Sequence, residues 1–180
     1  MPAERSNEMK TNRVYIAAGT NLGNRLENLQ FAAQLLTPAV NILRSSRVYQ
    51  TEPWGYEEQS DFYNLVWEAD TALTPESLLG FLKSIEKRMG REQTVRYGPR
   101  IIDLDILLYD QVILQSEWLT IPHAQLPNRR FVLAPLCDLI PDSIHPQSRQ
   151  PFYEILAALP PSSCEVVTDT FDFSQPVLRF

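Results

Sequence analysis

The sequence predicts an α+β fold in which helices cover both faces of a central sheet, giving three layers in the order αβα. From residue 14 onward, strand-like and helix-like segments alternate, as in a chain that builds one layered domain from both elements. The chain has 180 residues, of which 44% are hydrophobic and 21% are charged, so it suits one compact domain with a real core. The order of the segments, βαββαβ followed by C-terminal additions, predicts a ferredoxin-like core.

The pattern begins with a strand followed by a helix. Residues 14–18 form a short apolar strand, which ends at a turn rich in Gly and Asn over residues 19–24. Residues 25–36 place leucine and alanine at helical spacing, and Pro38 lies just beyond the last of them, so the helix ends there. Residues 42–49 then predict the second strand.

A polar loop over residues 50–59 precedes the third strand, which we predict over residues 62–72. The next helix begins with Thr74 as its N-cap and Pro75 at the first helical position. It runs to about residue 89, and Gly90 ends it.

The remaining segments complete the core and extend it. Residues 101–109 are the most strand-like part of the chain, and residues 112–114 are predicted to pair with them as a hairpin. Residues 129–139 and 152–159 predict two further helices. The chain is accordingly divided into a flexible leader (residues 1–12), a folded domain (residues 13–160) and a tail (residues 161–180) that packs on the surface or is partly mobile.

Charge and composition argue against several classes of partner. The net charge of −6 disfavours a broad surface for nucleic acid or for an anionic membrane. No run approaches the ~20 apolar residues of a spanning helix, so we predict no transmembrane segment.

Cys137 and Cys164 lack metal-binding spacing, which predicts free thiols in a reducing cytoplasm. His145 has no polar motif around it and is expected at the surface.

Asp103 and Asp105 lie inside an otherwise aliphatic strand, residues 101–108. Alternate residues of a strand share a face, so the two carboxylates point the same way with Cβ atoms about 6–7 Å apart. Parallel carboxylates repel each other near apolar surroundings unless a cation lies between them. Ligands that are all oxygen favour Mg²⁺, and a site for two ions about 3.5–4 Å apart fits this pair. The alternatives are a solvated edge strand and a structural site paired with arginine.

A basic stretch precedes this strand. Residues 83–100 contain six basic and two acidic residues, a net +4, so the rest of the chain carries −10. Arginine binds phosphate oxygens with two parallel hydrogen bonds, and Arg100 lies three residues before Asp103. Polyphosphate and Mg²⁺ are thus predicted to meet at one strand entrance, as phosphoryl transfer requires. For the helical residues Lys83, Lys87 and Arg88, the alternative is a solvated helix end that complements the helix dipole.

Five motifs give the sequence a resemblance to a known family. In chain order they are YIAAGTNLG at residues 15–23, YQTEP at 49–53, FYN at 62–64, RYGPRIIDLDIL at 96–107 and IPH at 121–123. Together they resemble 6-hydroxymethyl-7,8-dihydropterin pyrophosphokinase, a folate-pathway family that moves a pyrophosphoryl group from ATP to a pterin alcohol. The resemblance extends over about residues 14–159, and several spaced motifs are far more specific than one.

The resemblance implies a site residue by residue. Two Mg²⁺ ions would be held by Asp103 and Asp105, and these two carboxylates would be catalytic together with Arg91 and Arg100. The positions that correspond to the pterin pocket are Thr51, Glu52, Trp54, Phe62, Asn64 and Phe131. The positions that correspond to ATP contacts are Lys83, Glu86, Arg91, Arg96, Tyr97, Arg100, Ile106, Thr120, His123 and Arg129.

These residue types suit that chemistry. Two aromatic faces sandwich a flat heterocycle, and an asparagine amide offers both a donor and an acceptor to its edge. Without the resemblance, ordinary core packing explains Phe62 and Phe131, and a structural role explains His123. The resemblance implies that ATP binds first and that the pterin then docks between Phe62 and Phe131. Its hydroxymethyl oxygen would attack the β-phosphorus in line, and AMP would leave while Arg91 and Arg100 neutralise the developing charge.

We expect a cytoplasmic monomer whose partners are ATP and hydroxymethyl-dihydropterin. Two other functions stay open at this point. Nucleotidyl transfer would release pyrophosphate instead of AMP. A non-catalytic, ferredoxin-like module for small molecules would have no reason to bind ATP and Mg²⁺ together.

Overall fold

The structure is a computed structural model, and it describes residues 11–53, 58–91 and 98–174. The strands are β1 (Asn12–Thr20), β2 (Val40–Ser45), β3 (Val48–Thr51), β4 (Phe62–Thr71), β5 (Asp103–Tyr109), β6 (Leu114–Gln115), β7 (Thr120–Ile121) and β8 (Glu165–Thr168). The helices are α1 (Arg25–Leu36), α2 (Pro75–Arg88), α3 (Arg130–Leu139) and α4 (Phe152–Ala158). A 3-10 turn, Leu126–Asn128, precedes α3. In the described part of the chain, no helix is long and apolar enough to cross a membrane.

The main sheet has the strand order β5-β1-β4-β3-β8, and β2 also pairs with β4. Every pair is antiparallel, with β1 and β4 at the centre. This is the order of a βαββαβ core whose second strand is divided into β2 and β3, so the predicted ferredoxin-like fold is confirmed.

Helices cover both faces of the sheet, so the predicted three layers are also confirmed. On one face, α1 and α2 pack leucines such as Leu29 and Leu82 against Ile16, Trp67 and Leu104. The second core, on the other face, buries Leu133 and Phe152 of α3 and α4 with strand residues such as Val66 and Leu107. The alternation of side chains along each strand places apolar residues in both cores.

The ends of α1 and α2 follow from local sequence. The Asn24 side chain accepts a hydrogen bond from the Glu27 amide at the start of α1. Thr74 caps α2 by accepting from the Ser77 amide, with Pro75 in the first turn. Gly90 takes a φ of 88° just after α2, a conformation that favours glycine. The predicted bounds of both helices are confirmed to within a residue.

The predicted second strand is wrong in one respect, because a kink divides it at Ser46. This residue is 2% exposed, and its backbone amide donates to the Val66 carbonyl at 2.9 Å. Its hydroxyl in turn accepts from the Val66 amide, also at 2.9 Å. A side chain has therefore taken the place of a backbone carbonyl in the ladder, which lets the strand bend without leaving Val66 unpaired.

The predicted hairpin between residues 112–114 and β5 is wrong as well. Asp110 adopts a φ of 44°, and the chain turns away, so that β6 pairs with β7 instead. Ser116 closes that turn through hydrogen bonds between its hydroxyl and the backbone of Leu119. β7 then leads to His123, whose amide donates to the Leu107 carbonyl of β5 at 2.9 Å.

The prediction that His145 lies at the surface is wrong. His145 is 3% exposed, and its Nδ1 accepts from the backbone amides of Gln147 and Ser148. In the tail, β8 extends the sheet beyond β3. Phe171 and Phe173 then pack against the core on the α1 and α2 face.

We predict that Ser46→Ala lowers the free energy of unfolding by about 1–3 kcal/mol, because it leaves the buried Val66 amide without an acceptor. Chemical denaturation of both proteins measures the difference. Ser45→Ala is the matched control, since the neighbouring hydroxyl bonds only the Ser46 carbonyl in a half-buried position. Equal effects of the two substitutions would contradict the role assigned to the Ser46 hydroxyl.

Candidate active site

One pocket opens at the end of the sheet where β1 and β3 finish and β4 and β5 begin. Its space between atoms, including open solvent at the mouth, is about 810 Å³. The lining residues are Ala17, Ala18, Gly19, Thr51, Glu52, Phe62, Asn64, Leu65, Arg100, Asp103, Asp105, Leu107, His123, Arg129, Phe131 and Val132.

Asp103 and Asp105, at the start of strand β5, line this pocket, while Leu104 between them is fully buried in the core. Asp103 pairs with two arginines: Arg91 Nη1 lies 2.6 Å from its Oδ1, and Arg100 Nη1 contacts its Oδ2. Asp105 Oδ1 lies 3.7 Å from Lys83 Nζ. The predicted common face is confirmed, and Asp103 has the arginine partners that the sequence left as an alternative.

Glu86 is the buried counter-charge behind these cations. It is 4% exposed on the last turn of α2, and its Oε2 lies 2.6 Å from Arg91 Nη1. Its Oε1 accepts from Lys83 Nζ at 2.8 Å and from the Leu104 amide at 2.7 Å. One carboxylate thus fixes two basic side chains and joins α2 to β5. A buried charge is tolerated when it is paired and hydrogen-bonded in this way.

The charges around the pocket shift two pKa values. Burial favours the neutral form of Asp103, but the positive charges of Arg100, Arg91 and Lys83 outweigh it and lower the pKa of this carboxyl. Burial lowers the pKa of His123, and the nearby Arg129 acts in the same direction against the opposing charge of Asp105. Near neutral pH, Asp103 is therefore ionised and the His123 imidazole is neutral.

The other half of the pocket combines an amide with aromatic rings. Asn64 Nδ2 donates to Thr51 Oγ1 at 2.7 Å, which fixes the orientation of the buried amide. Phe62 and Phe131 are half-buried and both line the pocket, so they have exposed ring surface to offer. The guanidinium of Arg129 lies 5.8 Å from the centre of the Phe131 ring. Hydrogen-bonding groups therefore lie beside apolar faces, as a planar heterocycle requires.

Gly19 allows these parts to approach one another closely. It lies opposite Asn64 in the β1–β4 register and opposite Asp103 in the β1–β5 register. A Cβ added at Gly19 would lie 2.8 Å from Asn64 Oδ1, closer than such atoms approach in proteins. A side chain at this position would therefore displace the amide that Thr51 orients.

The structure brings most of the predicted site residues together at the pocket, but several lie elsewhere or at its edge. Ile106 is packed in the core, so only its backbone is available to a ligand. Thr120 lies on β7 outside the pocket lining. Glu86 and Lys83 are also outside the lining, where they bond each other. Glu52 is exposed at the pocket edge. The predicted residues Trp54, Arg96 and Tyr97 lie outside the described residues.

Several lining residues are absent from the sequence prediction. Ala17 and Gly19 form part of the floor, and Leu65, Leu107 and Val132 supply apolar walls. The run of small residues at the end of the first strand is the one signal that could have found the floor. The apolar walls carry no such signal, because aliphatic residues in strands and helices predict core packing equally well.

The oxygen ligands at the pocket fit a hard divalent cation. Mg²⁺ is held in proteins by one or two carboxylates and completes its shell with water and substrate phosphates. Asp103 and Asp105 provide two carboxylates on one face, and Asp103 is kept ionised by its neighbours. Within residues 11–53, 58–91 and 98–174, no cluster of three or more His, Cys, Asp or Glu side chains forms a complete protein cage.

Similarity to known proteins agrees with this geometry. The family described as 7,8-dihydro-6-hydroxymethylpterin-pyrophosphokinase (HPPK) matches residues 15–141. The chain belongs to this family. The resemblance predicted from the five motifs is thereby confirmed, and the HPPK match includes every element from β1 to α3 except the first residues of β1.

Individual relatives differ greatly in length. The chain is 43% identical over 153 residues to the folic acid synthesis protein fol1 of Schizosaccharomyces pombe, which covers 84% of this chain and 21% of that protein. It is 39% identical over 141 residues to 2-amino-4-hydroxy-6-hydroxymethyldihydropteridine pyrophosphokinase of Aquifex aeolicus, covering 78% of this chain and 88% of the relative. The chain thus spans about a fifth of the fol1 protein and most of the Aquifex HPPK.

A solved structure supports the fold alone. A Plasmodium falciparum HPPK-DHPS crystal structure superposes with a TM-score of 0.68 at 21% identity. The match covers 84% of this chain and 46% of that one. The HPPK fold is therefore retained at a sequence distance where most side chains differ.

We predict opposite effects for alanine at two glycines. Gly19→Ala displaces the Asn64 amide and should lower the free energy of unfolding by about 1–3 kcal/mol. Gly80→Ala, on the open side of α2 with no atom within 4 Å of the new Cβ, should raise it by about 0.5–1 kcal/mol. Thermal and denaturant unfolding of both variants measure the pair. A neutral or stabilising Gly19→Ala would contradict the close approach at this position.

The two histidines of the chain should make stability depend on pH in a predictable direction. Burial lowers the pKa of both His123 and His145, so the unfolded chain, with a histidine pKa of about 6.5, binds protons more readily. The free energy of unfolding should therefore fall as the pH drops below about 6.5, with no contribution from these groups above it. Denaturant titrations between about pH 7.5 and 5.5, with NMR titration of the ring protons, test this. Ring pKa values at or above about 6.5 would overturn the prediction.

Proposed function

We propose that this protein transfers a pyrophosphoryl group from ATP to the hydroxymethyl oxygen of 6-hydroxymethyl-7,8-dihydropterin and releases AMP, a step of folate synthesis. The chain belongs to the HPPK family, and one observation on its pocket supports the proposal. A single pocket joins a carboxylate pair with arginines, suited to metal and phosphate, to an oriented amide and two aromatic rings, suited to a pterin.

The basic side chains bind the triphosphate. Arg91 and Arg100 already lie at the carboxylate that faces the pocket, and the Lys83 ammonium lies beside Asp105. A bound polyphosphate adds negative charge at this point, and guanidinium groups form paired hydrogen bonds with phosphate oxygens. Arg91 keeps its Glu86 partner while it neutralises charge that develops during transfer.

Asp103 and Asp105 are the residues that would hold Mg²⁺, and we propose two ions. When bound, the metal supplies charge neutralisation on the phosphates and lowers the pKa of the attacking hydroxyl. The two carboxylates lie on one strand face at the pocket wall, where they would hold the metal beside the phosphate chain. Glu86 holds the strand in place through the Leu104 amide between them.

The pterin docks on the opposite side of the pocket. Phe62 and Phe131 contact its faces, and the Asn64 amide, oriented by Thr51, bonds its polar edge. His123 is neutral and lines the pocket next to Asp105. Its Nδ1 accepts from the Gln125 amide at 3.2 Å, so its Nε2–H can donate one hydrogen bond to a phosphate oxygen or water. Trp54, Arg96 and Tyr97 complete the proposed contacts on the residue-by-residue resemblance alone.

Location and assembly follow the same proposal. Cys137 and Cys164 are both free thiols, which supports a reducing compartment, and we propose the cytoplasm. We also propose a monomer. Light scattering of the purified protein checks the oligomeric state.

The product decides between the proposed reaction and nucleotidyl transfer. Incubation with ATP, Mg²⁺ and hydroxymethyl-dihydropterin should yield AMP and the pterin diphosphate. Pyrophosphate as the released product would instead indicate nucleotidyl transfer. A protein that binds the pterin without turnover and without Mg²⁺-dependent ATP binding would be the non-catalytic module.

We predict that Asp105→Asn lowers the rate of AMP formation by at least about 10²-fold, because it removes a charged ligand of the proposed metal. Asp105 is the cleaner target of the pair, since Asp103→Asn would also remove the carboxylate partner of Arg100 and one of the two carboxylate partners of Arg91. Quantified AMP at saturating substrates is the readout, with thermal unfolding to confirm the fold. Asp142→Asn, an exposed carboxylate after α3, is the control and should retain full activity. Unchanged turnover in Asp105→Asn would overturn the metal assignment.

A further inference from the structure

Asn21 connects three separate segments at the rim of the pocket. It follows β1 directly and is 3% exposed, which is unusual for an asparagine in a loop. It does not line the pocket, and the sequence signals for metal, phosphate and pterin do not include it. Its burial therefore needs an explanation other than contact with a substrate.

Every polar atom of the Asn21 side chain has a partner. Its Oδ1 accepts from the Arg100 amide at 2.7 Å, and its own backbone amide donates to the Arg100 carbonyl at 3.0 Å. Its Nδ2 donates to Gln59 Oε1 and to the Ser60 carbonyl, both at 2.9 Å. We call this set of four hydrogen bonds the Asn21 bridge.

The two ends of the bridge lead to different halves of the pocket. Arg100 contacts Asp103, so one end holds the backbone of a side chain on the phosphate and metal side. Ser60 lies two residues before Phe62, so the other end holds the entry to β4, where the aromatic and amide groups of the pterin side begin.

The segment around Ser60 is fixed to its surroundings as well. The Asp61 carboxylate accepts from Gln50 Nε2 at 2.7 Å, and the Asp61 carbonyl accepts from Arg25 at 2.8 Å. These contacts tie the segment to β3 and α1, which carry no phosphate-side group. Among the hydrogen bonds described for the pocket rim, the Asn21 bridge alone joins the Gln59 side chain and the Ser60 backbone to Arg100.

We propose that Asn21 is a positioning residue that couples the two halves of the pocket, so that nucleotide bound on the Arg100 side strengthens pterin binding on the Phe62 side. This inference rests on the proposed function. Hydrogen bonds in a buried network act together, because a movement at one partner leaves a polar group of another unpaired. When ATP draws Arg100 toward the phosphates, the bridge transmits the new backbone position to Ser60 and onward to Phe62.

The test measures coupling instead of activity alone. Calorimetry gives the pterin dissociation constant with and without Mg²⁺ and a non-hydrolysable ATP analogue, and the ratio of the two constants is the coupling factor. In the wild-type protein this factor should lie in the usual range of about 5–150. In Asn21→Ala it should fall to within about twofold of unity, while the pterin constant measured without nucleotide changes by less than about threefold.

A second variant separates the two ends of the bridge and guards against loss of folding. Asn21→Asp keeps an acceptor for the Arg100 amide but places a carboxylate oxygen against Gln59 Oε1 and the Ser60 carbonyl, both acceptors. It should lose coupling as Asn21→Ala does. Asn41→Ala, an exposed asparagine on β2, is the control and should keep the wild-type factor. A purely structural role for Asn21 would lower the unfolding temperature and leave the coupling factor unchanged.

Failure of the inference and failure of the proposed function have different signatures. A wild-type protein that releases AMP but shows a coupling factor of one, or variants at Asn21 that keep the wild-type factor, would overturn the coupling role alone. A wild-type protein that releases no AMP from ATP and the pterin would overturn the proposed function, and the inference would fall with it.

Discussion

The antiparallel register of β1 with its two neighbours is the constraint on which the site depends. Gly19 lies opposite Asn64 on one side and Asp103 on the other, so a single position on β1 fixes the distance between the two halves of the pocket. A slip of one residue would turn Asp103 and Asp105 toward the α2 core and Leu104 toward the pocket. The small side chains at the end of β1 leave room there, which explains why the pocket opens at this edge.

A chain of alternating charges continues from that edge into the protein. Glu86, buried on α2, holds Lys83 and Arg91; Arg91 shares Asp103 with Arg100. Each charge is balanced by the next, so the cluster is stable while it keeps several cations at the mouth of the pocket. Three cations of the basic stretch, Lys83, Arg91 and Arg100, thus lie together at this edge, although the chain outside residues 83–100 carries a net −10.

Local signals in the sequence were sufficient for the helices, the order of the core strands and the paired carboxylates. The caps at Asn24 and Thr74 and the alternation through β5 depend only on residues nearby in the chain, so local sequence is enough to predict them. The kink at Ser46 could not be predicted in this way, because residues 44–47 are polar without a Gly or Pro to mark a break, and the deciding partner is Val66 on another strand. The β6–β7 pairing and the burial of His145 likewise depend on which segments meet in space.

For the site as well, local sequence predicted some features, and others depended on contacts between distant segments. Motif spacing identified the carboxylates, the arginines and the aromatic rings, while the role of Glu86 as a common counter-charge required the packing of α2 on β5. Asn21 lies within the first of the five motifs, residues 15–23. Its partners Gln59 and Arg100, however, are about 40 and 80 residues away along the chain, so no local sequence pattern predicts these contacts.

The C-terminal strand has a consequence for solution behaviour. Without β8, β3 would end the sheet with unpaired backbone groups beside the pocket, a surface that promotes association through edge strands. β8 covers that edge with four residues only, and the chain then crosses to the α1 face, where Phe171 and Phe173 are packed. The edge of the sheet on this side is therefore short and begins with an acidic residue, Glu165. Both features disfavour pairing with a strand of another molecule.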